Sequence, residues 1–460
     1  MRSLLAAGQW RRGSRWGDNS VSQGVVTTPE LPRWPLTAMF VLFPVWWLLG
    51  PGEAVWIPLA AVMLLLLRRH GRIRVPRSLG VWLLFLLWMA CSVIGIDSGG
   101  RLVGFVFRAL LYVTVTVVFL YVYNARATLT ARYVLGVLTV FWLIVVAGGY
   151  LGVLWPLFSI DTPLGAVLPP WVSSNELVQE MIVRRSTQYN PDAWTPIDPR
   201  PSAPFLYTNG WGNAYSVLSP MVIAYLVIVR RERRFWWLLP IVPLSFVPAF
   251  LTLNRGMFLG LGVALAYVLL RSLLHGNVRV IAALAGLAVA AAAAWATLPI
   301  QERLGHRVEV SSSTGDRAAL YVEAVERTLQ QPVFGYGAPR PSVTPGAPSV
   351  GTQGQFWMVM FSHGIPGAAL FMGWLVWAYV RTLRERDPAG LACNTVLLVT
   401  LVESLYYGIM TAGLMVAMLA AAVALRRTED VGPAPLKAVG RPAPAEKTPS
   451  FTNRRGRPTW

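Results

Sequence analysis

The chain has 460 residues, 55% of them hydrophobic and only 13% charged, with a mean hydropathy of +0.51. That composition excludes a water-soluble globule. The formal net charge of +19 does not make a nucleic-acid binder: the basic residues fall mostly at the ends of apolar segments on one side, where they read as topology signals and contacts to anionic membrane lipids.

In chain order, residues 1–34 are polar and carry Arg2, Arg11, Arg12, Arg15 and Arg33, which predicts a cytoplasmic segment. No compact apolar stretch with a cleavage site follows, so no cleaved signal peptide is expected. Apolar spans are predicted near 35–50 and 54–67, then a basic inner connector, Arg68-Arg69-His70-Gly71-Arg72-Ile73-Arg74. Spans near 79–96 and 103–123 are joined outside by Asp97–Arg101, and Arg126 and Arg132 mark the inner loop before a span over 133–154. A first large outer segment, about 155–211, is rich in Pro, Trp and Asp. Spans near 212–229 and 235–252 flank Arg230-Arg231-Glu232-Arg233-Arg234, and a tight outer turn holds Asn254-Arg255-Gly256. The next two spans end at Arg271 and near Leu298, and the second large outer segment runs over about 299–353. A long span over 354–380 precedes Arg381, Arg384 and Arg386, and the last two spans cover 389–407 and 409–425, ending at Arg426-Arg427. The tail, 428–460, is Pro/Ala/basic and is expected to be disordered in the cytoplasm.

The expected fold class is therefore all-α: a polytopic integral membrane protein with about 12 transmembrane helices. A transmembrane domain spans 35–427, two large segments are extracytoplasmic, and both termini are cytoplasmic. Cys91 and Cys393 both lie in apolar segments and read as packing residues.

The sequence lacks a Gly-rich phosphate loop, Cys/His metal spacing and a GxSxG elbow, so neither a metal nor another cofactor is expected. Of the four histidines, His70 and His275 fall on the cytoplasmic side, which leaves His306 and His363 for the outer half. What remains is a set of cations. Arg255 sits in the short outer turn. Arg317 opens an amphipathic stretch with Ala318, Tyr321, Val322, Val325 and Leu329 at helical spacing. Arg108 lies within a span, about 10 Å below Arg101 at 1.5 Å rise per residue. A guanidinium there needs a partner or a wet cavity. Glu403, in the outer half of its span, is a candidate partner or general base. Arginine is suited to bidentate grip on phosphate oxygens, although an outer arginine can equally snorkel to lipid headgroups.

Several of these residues form an ordered set. Gly315-Asp316-Arg317, Pro332-Val333-Phe334-Gly335-Tyr336-Gly337 and Gly364-Ile365-Pro366-Gly367 resemble the signature region of the O-antigen ligase and polymerase superfamily of membrane glycosyltransferases. Upstream, Thr252-Leu253-Asn254-Arg255-Gly256 resembles that family's Ser-Arg-Gly turn, and Tyr207-Thr208-Asn209-Gly210-Trp211-Gly212-Asn213 its Asn-rich entry to a middle span. One departure stands out: counting back from Gly364, Gln353 occupies the place of the family's histidine and Gly354 that of its asparagine. Glutamine cannot take up a proton near neutral pH. Either His306, His363 or Glu403 replaces it, or the acceptor differs, or the chain lacks activity.

The resemblance implies a glycosyltransferase of type C-like architecture in the cell (inner or plasma) membrane, acting in cell-surface polysaccharide assembly. The donor would be a glycan on a polyprenyl-(di)phosphate carrier, and the acceptor a hydroxyl of another glycan or lipid. Arg255 and Arg317, with Arg108, would hold the phosphates without a metal. Asn209, Asn213, Trp211 and Tyr336 would line the substrate. Trp171, Trp194, Tyr207 and Trp211 would serve as sugar-stacking surfaces or as interfacial anchors. Two alternatives stay open: a non-catalytic transporter of lipid-linked glycans, which would want midplane charges and related halves, and a peptidoglycan-polymerase-like transferase using Glu309, Asp316 or Glu323.

Overall fold

The computed structural model describes residues 30–169, 176–189, 199–297, 313–345 and 347–430. Residues 1–29 and 431–460, and with them most of the N-terminal segment and the tail, lie outside the described residues, as do Trp171, Trp194, His306 and Glu309. The chain begins with α1 (Trp34–Phe40), α2 (Phe43–Leu49), α3 (Trp56–His70), α4 (Leu79–Cys91), α5 (Gly99–Asn124) and α6 (Ala131–Leu154). The first large connecting segment contributes β1 (Ser159–Asp161), α7 (Pro163–Val167), α8 (Glu176–Ile182), β2 (Val183–Arg185), β3 (Thr187–Gln188) and β4 (Arg200–Pro201). Then follow α9 (Thr208–Ile228), α10 (Arg233–Leu238), α11 (Ile241–Leu244), α12 (Phe246–Leu251), α13 (Arg255–Leu274) and α14 (Val278–Thr297). The last elements are α15 (Ser313–Gln330), α16 (Gln355–Arg381), α17 (Pro388–Glu403) and α18 (Ala412–Asp430).

The architecture is that of a polytopic, mostly helical membrane protein, as lipid demands of a backbone that must satisfy its own polar groups. Two small antiparallel pairs, β1 with β2 and β3 with β4, are the exceptions to the all-α expectation. Local signals start the helices: Thr130 accepts from the Tyr133 amide at 3.3 Å at the head of α6, and Asp387 accepts from the Ala389 amide at 3.2 Å with Pro388 in the first turn of α17. Among the described residues, seven helices are long and apolar enough to cross a bilayer, or eight if a bent pair is one span. Leu79–Gly95 and Pro388–Glu403 are shorter apolar helices. The difference from about 12 spans arises where the chain breaks. Residues 43–70 fold as Phe43–Leu49 and Gly52–His70 bent by 115°, and Leu79–Gly95 and Pro388–Glu403 are shorter than the helices counted as spans.

The centre is α18, in which every residue from Leu414 to Leu425 is at most 1% exposed. Its alanines let α5, α9 and α17 approach closely. At the periphery, α14 has no buried residue.

The basic connectors gather at one end. There Arg132 pairs with Glu232 at 2.5 Å, Arg427 with Asp387 at 2.7 Å, Arg271 donates to the Glu385 carbonyl at 2.8 Å, and Arg126 to that of Arg426 at 3.3 Å. At the other end, β2 sends Arg184 into the elbow between α2 and α3. This side chain is 4% exposed and donates to the Gly50 carbonyl. Burial pushes its guanidinium down to about 10, against the opposing pull of Glu53.

Candidate functional site

The polar centre of that second end is the connector Ser404–Thr411 between α17 and α18. Four helix N-termini meet around it. Asn254, which heads α13, donates to the Thr208 carbonyl at the start of α9 at 3.0 Å, and Tyr407 donates its hydroxyl to Asn254 Oδ1. Tyr406 donates to the Gly256 carbonyl at 3.0 Å. At the head of α16 the Gln355 amide donates to the Tyr407 carbonyl at 2.6 Å and the Phe356 amide to that of Ser404 at 2.9 Å. The Met410 amide in turn reaches Gln355 Oε1 at 3.1 Å. The start of α18 touches Asn213, through Gly413, and brings Thr411 and the Ala412 amide near the Glu53 carboxyl.

None of α9, α13 and α16 has a side-chain cap of its own. Each turns the positive end of its dipole toward this connector, an arrangement that favours an anion. Backbone strain gathers here too. Leu253 (φ 50°) and Thr411 (φ 77°), the two non-glycine residues with left-handed backbone among the described residues, directly precede Asn254 and α18.

Arg255 and Arg317 both come near Tyr407. Arg255 is exposed and follows the asparagine that holds the Tyr407 hydroxyl; Arg317, half-buried on α15, lies within electrostatic reach of Tyr407 and Tyr321. Tyr321 stacks on Trp357 at 4.9 Å, which seats α15 on the head of α16.

Glu403 is fully buried. Its Oε2 accepts from Asn213 Nδ2 at 2.5 Å, whereas Oε1 has no partner. The Thr208 hydroxyl beside it in the constellation is likewise unpartnered. Buried polar atoms left open in this way mark places where water or a ligand group belongs. Gln353 is half-buried in the turn before Gly354, at the mouth of α16.

Two residues expected to meet substrate lie in packed surroundings. The Trp211 indole is fully buried, stacks on Tyr215 at 5.0 Å and donates to the Val145 carbonyl at 2.9 Å. The Tyr336 ring stacks on Phe361 at 4.8 Å, with Arg327 and Arg340 over it. Asn209 is half-buried in the first turn of α9, and Tyr207 is exposed just before it.

Arg108 lies on α5, within electrostatic reach of Tyr112 and His363. Tyr112 joins this group to the centre, since its hydroxyl accepts from Gln355 Nε2 at 2.7 Å. Glu403 therefore does not serve as the partner of Arg108: it is bound to Asn213 instead.

Sequence reasoning missed Tyr407, Gln355 and Glu53. The break in apolar character at Ser404-Leu405-Tyr406-Tyr407-Gly408 was the available signal. Among the described residues, no three His, Cys, Asp or Glu side chains gather as a metal site.

Residues 240–372 match the model of a family described as O-antigen ligase. The matched window contains Arg255, Arg317, the Pro332–Gly337 turn and Gly364, but neither Asn213 nor Glu403. No curated protein matches the chain.

Proposed function

We propose, from the match of residues 240–372 to a family described as O-antigen ligase, that the chain is a membrane glycosyltransferase. In this proposal it moves a glycan from a polyprenyl-(di)phosphate carrier to an acceptor hydroxyl at the extracytoplasmic face. The observation that carries the proposal is the meeting of helix N-termini at Ser404–Thr411, with Arg255 next in the chain to the asparagine that holds Tyr407 and Arg317 within electrostatic reach of Tyr407. Such a site suits a leaving group on which negative charge grows.

The acceptor oxygen bonds to the anomeric carbon, and the bond from that carbon to the carrier phosphate oxygen breaks. The electron pair leaves with the phosphate, where Arg255 and Arg317 stabilise it. The acceptor proton passes to Glu403 through its unpartnered Oε1, while Asn213 fixes the carboxylate from the other side. Gln353 takes no proton in this scheme.

The test uses purified full-length protein in lipid nanodiscs with a polyprenyl-diphosphate oligosaccharide and a panel of acceptors, following carrier release and product size. Arg255→Ala and Arg317→Ala are each expected to slow release by about 10²- to 10³-fold. Glu403→Gln, nearly isosteric, should slow it by about 10²-fold or more. A ladder of products identifies a polymerase and a single new product a ligase. Release that survives both arginine substitutions would sink the proposal.

A further inference from the structure

The inward stripe of α5 is Phe105, Arg108, Tyr112 and Val115, at helical spacing. Three of the four are 7%, 1% and 2% exposed, yet Arg108 between them is only half-buried. Arg108 thus keeps part of its surface uncovered on a stripe whose other members are packed. On the opposite side of the same helix, Val103, Val106, Leu110 and Val113 are exposed, as a lipid-facing stripe must be.

A cation in a membrane span needs compensation, and among the described residues Arg108 makes no hydrogen bond or ion pair. Asp97 is engaged with Arg101 and Arg340, and Glu403 with Asn213, so neither compensates Arg108.

Two further donors stand beside the guanidinium. His363, 5% exposed, has an Nδ1 without a partner, and its ring lies 6.3 Å from Phe105 and 6.2 Å from Phe85. The Tyr112 oxygen accepts from Gln355, which leaves its own proton free to donate. A planar fork, an imidazole N–H and a phenol O–H together suit a tetrahedral oxyanion.

We infer that Arg108, His363 and Tyr112 form a second anion site, in a cleft between α5 and α16, for a phosphate group carried on a lipid. The lipid-facing stripe on α5 is the reason for lipid: at this depth an anion arrives attached to an apolar chain. The site is a matter of binding alone. A protein that holds lipid phosphate here but never releases carrier would sink the transferase proposal and leave this one standing.

The experiment is native mass spectrometry of the full-length protein released from phosphatidylcholine nanodiscs. The probes are polyprenyl monophosphate, phosphatidylglycerol and inorganic phosphate. Arg108→Gln is expected to weaken binding of a lipid phosphate about tenfold or more, and Arg108→Lys to recover most of it. Tyr112→Phe should weaken it several-fold, and this comparison decides the matter if Arg108→Gln does not fold. Arg384→Ala, an exposed arginine outside either site, should leave it within about threefold. Preference for polyprenyl monophosphate identifies the carrier as occupant, and equal retention of phosphatidylglycerol identifies a phospholipid headgroup. Unchanged binding in Arg108→Gln or in Tyr112→Phe overturns the site, as does an equal loss in Arg384→Ala. Inorganic phosphate held as tightly as either lipid overturns the assignment to lipid.

Discussion

At the scale of single residues, the constellation depends on side chains that are absent. Glu403 has room because residue 260 is glycine: a Cβ there would collide with Oε1, and a Cβ on Gly413 would collide with Asn213 Oδ1. Gly262, two residues further along α13, has open space around its missing side chain. Gly260→Ala is therefore expected to destabilise the protein by about 1–3 kcal/mol and to slow carrier release, while Gly262→Ala leaves both unchanged. Thermal melting of the two variants, followed with the release assay, separates them. A silent Gly260→Ala would show that Glu403 has slack the packing does not suggest. Residue type made the arginines, Asn213 and Glu403 legible in the sequence, because charges and amides in a hydrophobic chain need a reason. It did not separate Trp211 and Tyr336 from exposed aromatics, since a ring's identity says nothing about what covers its faces.

At the scale of elements, the helix opened by Arg317 was legible and its orientation was not. Helical spacing drew attention to Val322, Val325 and Leu329, but these are 58%, 37% and 64% exposed. The face packed inward carries Leu320, Glu323, Ala324 and Thr328, all buried. A turn decides this: Gly335 and Gly337 have left-handed backbone, the Gly335 amide closes the turn on the Gln331 carbonyl at 3.1 Å, and the Tyr336 and Gly337 amides bond into α16 at the Phe361 and Ser362 carbonyls, at 3.0 and 2.8 Å. The break in α16 at Gly364 (φ 73°) makes room for the Val333 carbonyl, and no periodicity announces it.

Glu323 then ties α15 to the following loop. Its carboxylate accepts from the Ser342 hydroxyl at 2.6 Å, the Val343 amide at 3.1 Å and Arg327 at 3.1 Å. Burial pushes its pKa up, but these hydrogen bonds outweigh burial and hold it below the usual carboxylate value. A depressed folded value means that the clamp's contribution is present above the free carboxyl's pKa and is lost as pH falls through the folded one. Amide exchange over residues 340–345, corrected for its intrinsic pH dependence, is expected to quicken below about pH 4.3. Glu323→Gln should flatten that profile, and a profile unchanged by the substitution would exclude the carboxylate as the clamp.

At the scale of the whole molecule, the arginine-rich connectors foretold which loops share an end, because charge near apolar segments is costly to mix between two sides of a membrane. The number of spans was less legible. Bends such as the elbow at residues 50–52 are held by partners far away in sequence, here Arg184. The assignment of sides is open to a direct check. In a Cys91→Ser background, Ile73→Cys and Arg384→Cys should react with a membrane-impermeant maleimide from the cytoplasmic side, and Val343→Cys from the other. Cys393 is buried and stays silent. Labelling of Ile73→Cys and Val343→Cys from the same side would contradict the topology.

The most enclosed helix, α18, is also the last of the described helices to leave the ribosome. Every helix made before it must wait in the bilayer around an unfilled slot, with Glu53 exposed to that slot and Asn213 lacking the neighbour that fixes it. Translation halted before Ala412 yields a hollow bundle lined with polar groups, a natural target for membrane proteases, and not a smaller working protein. Insertion of α18 thus closes the described bundle from the inside.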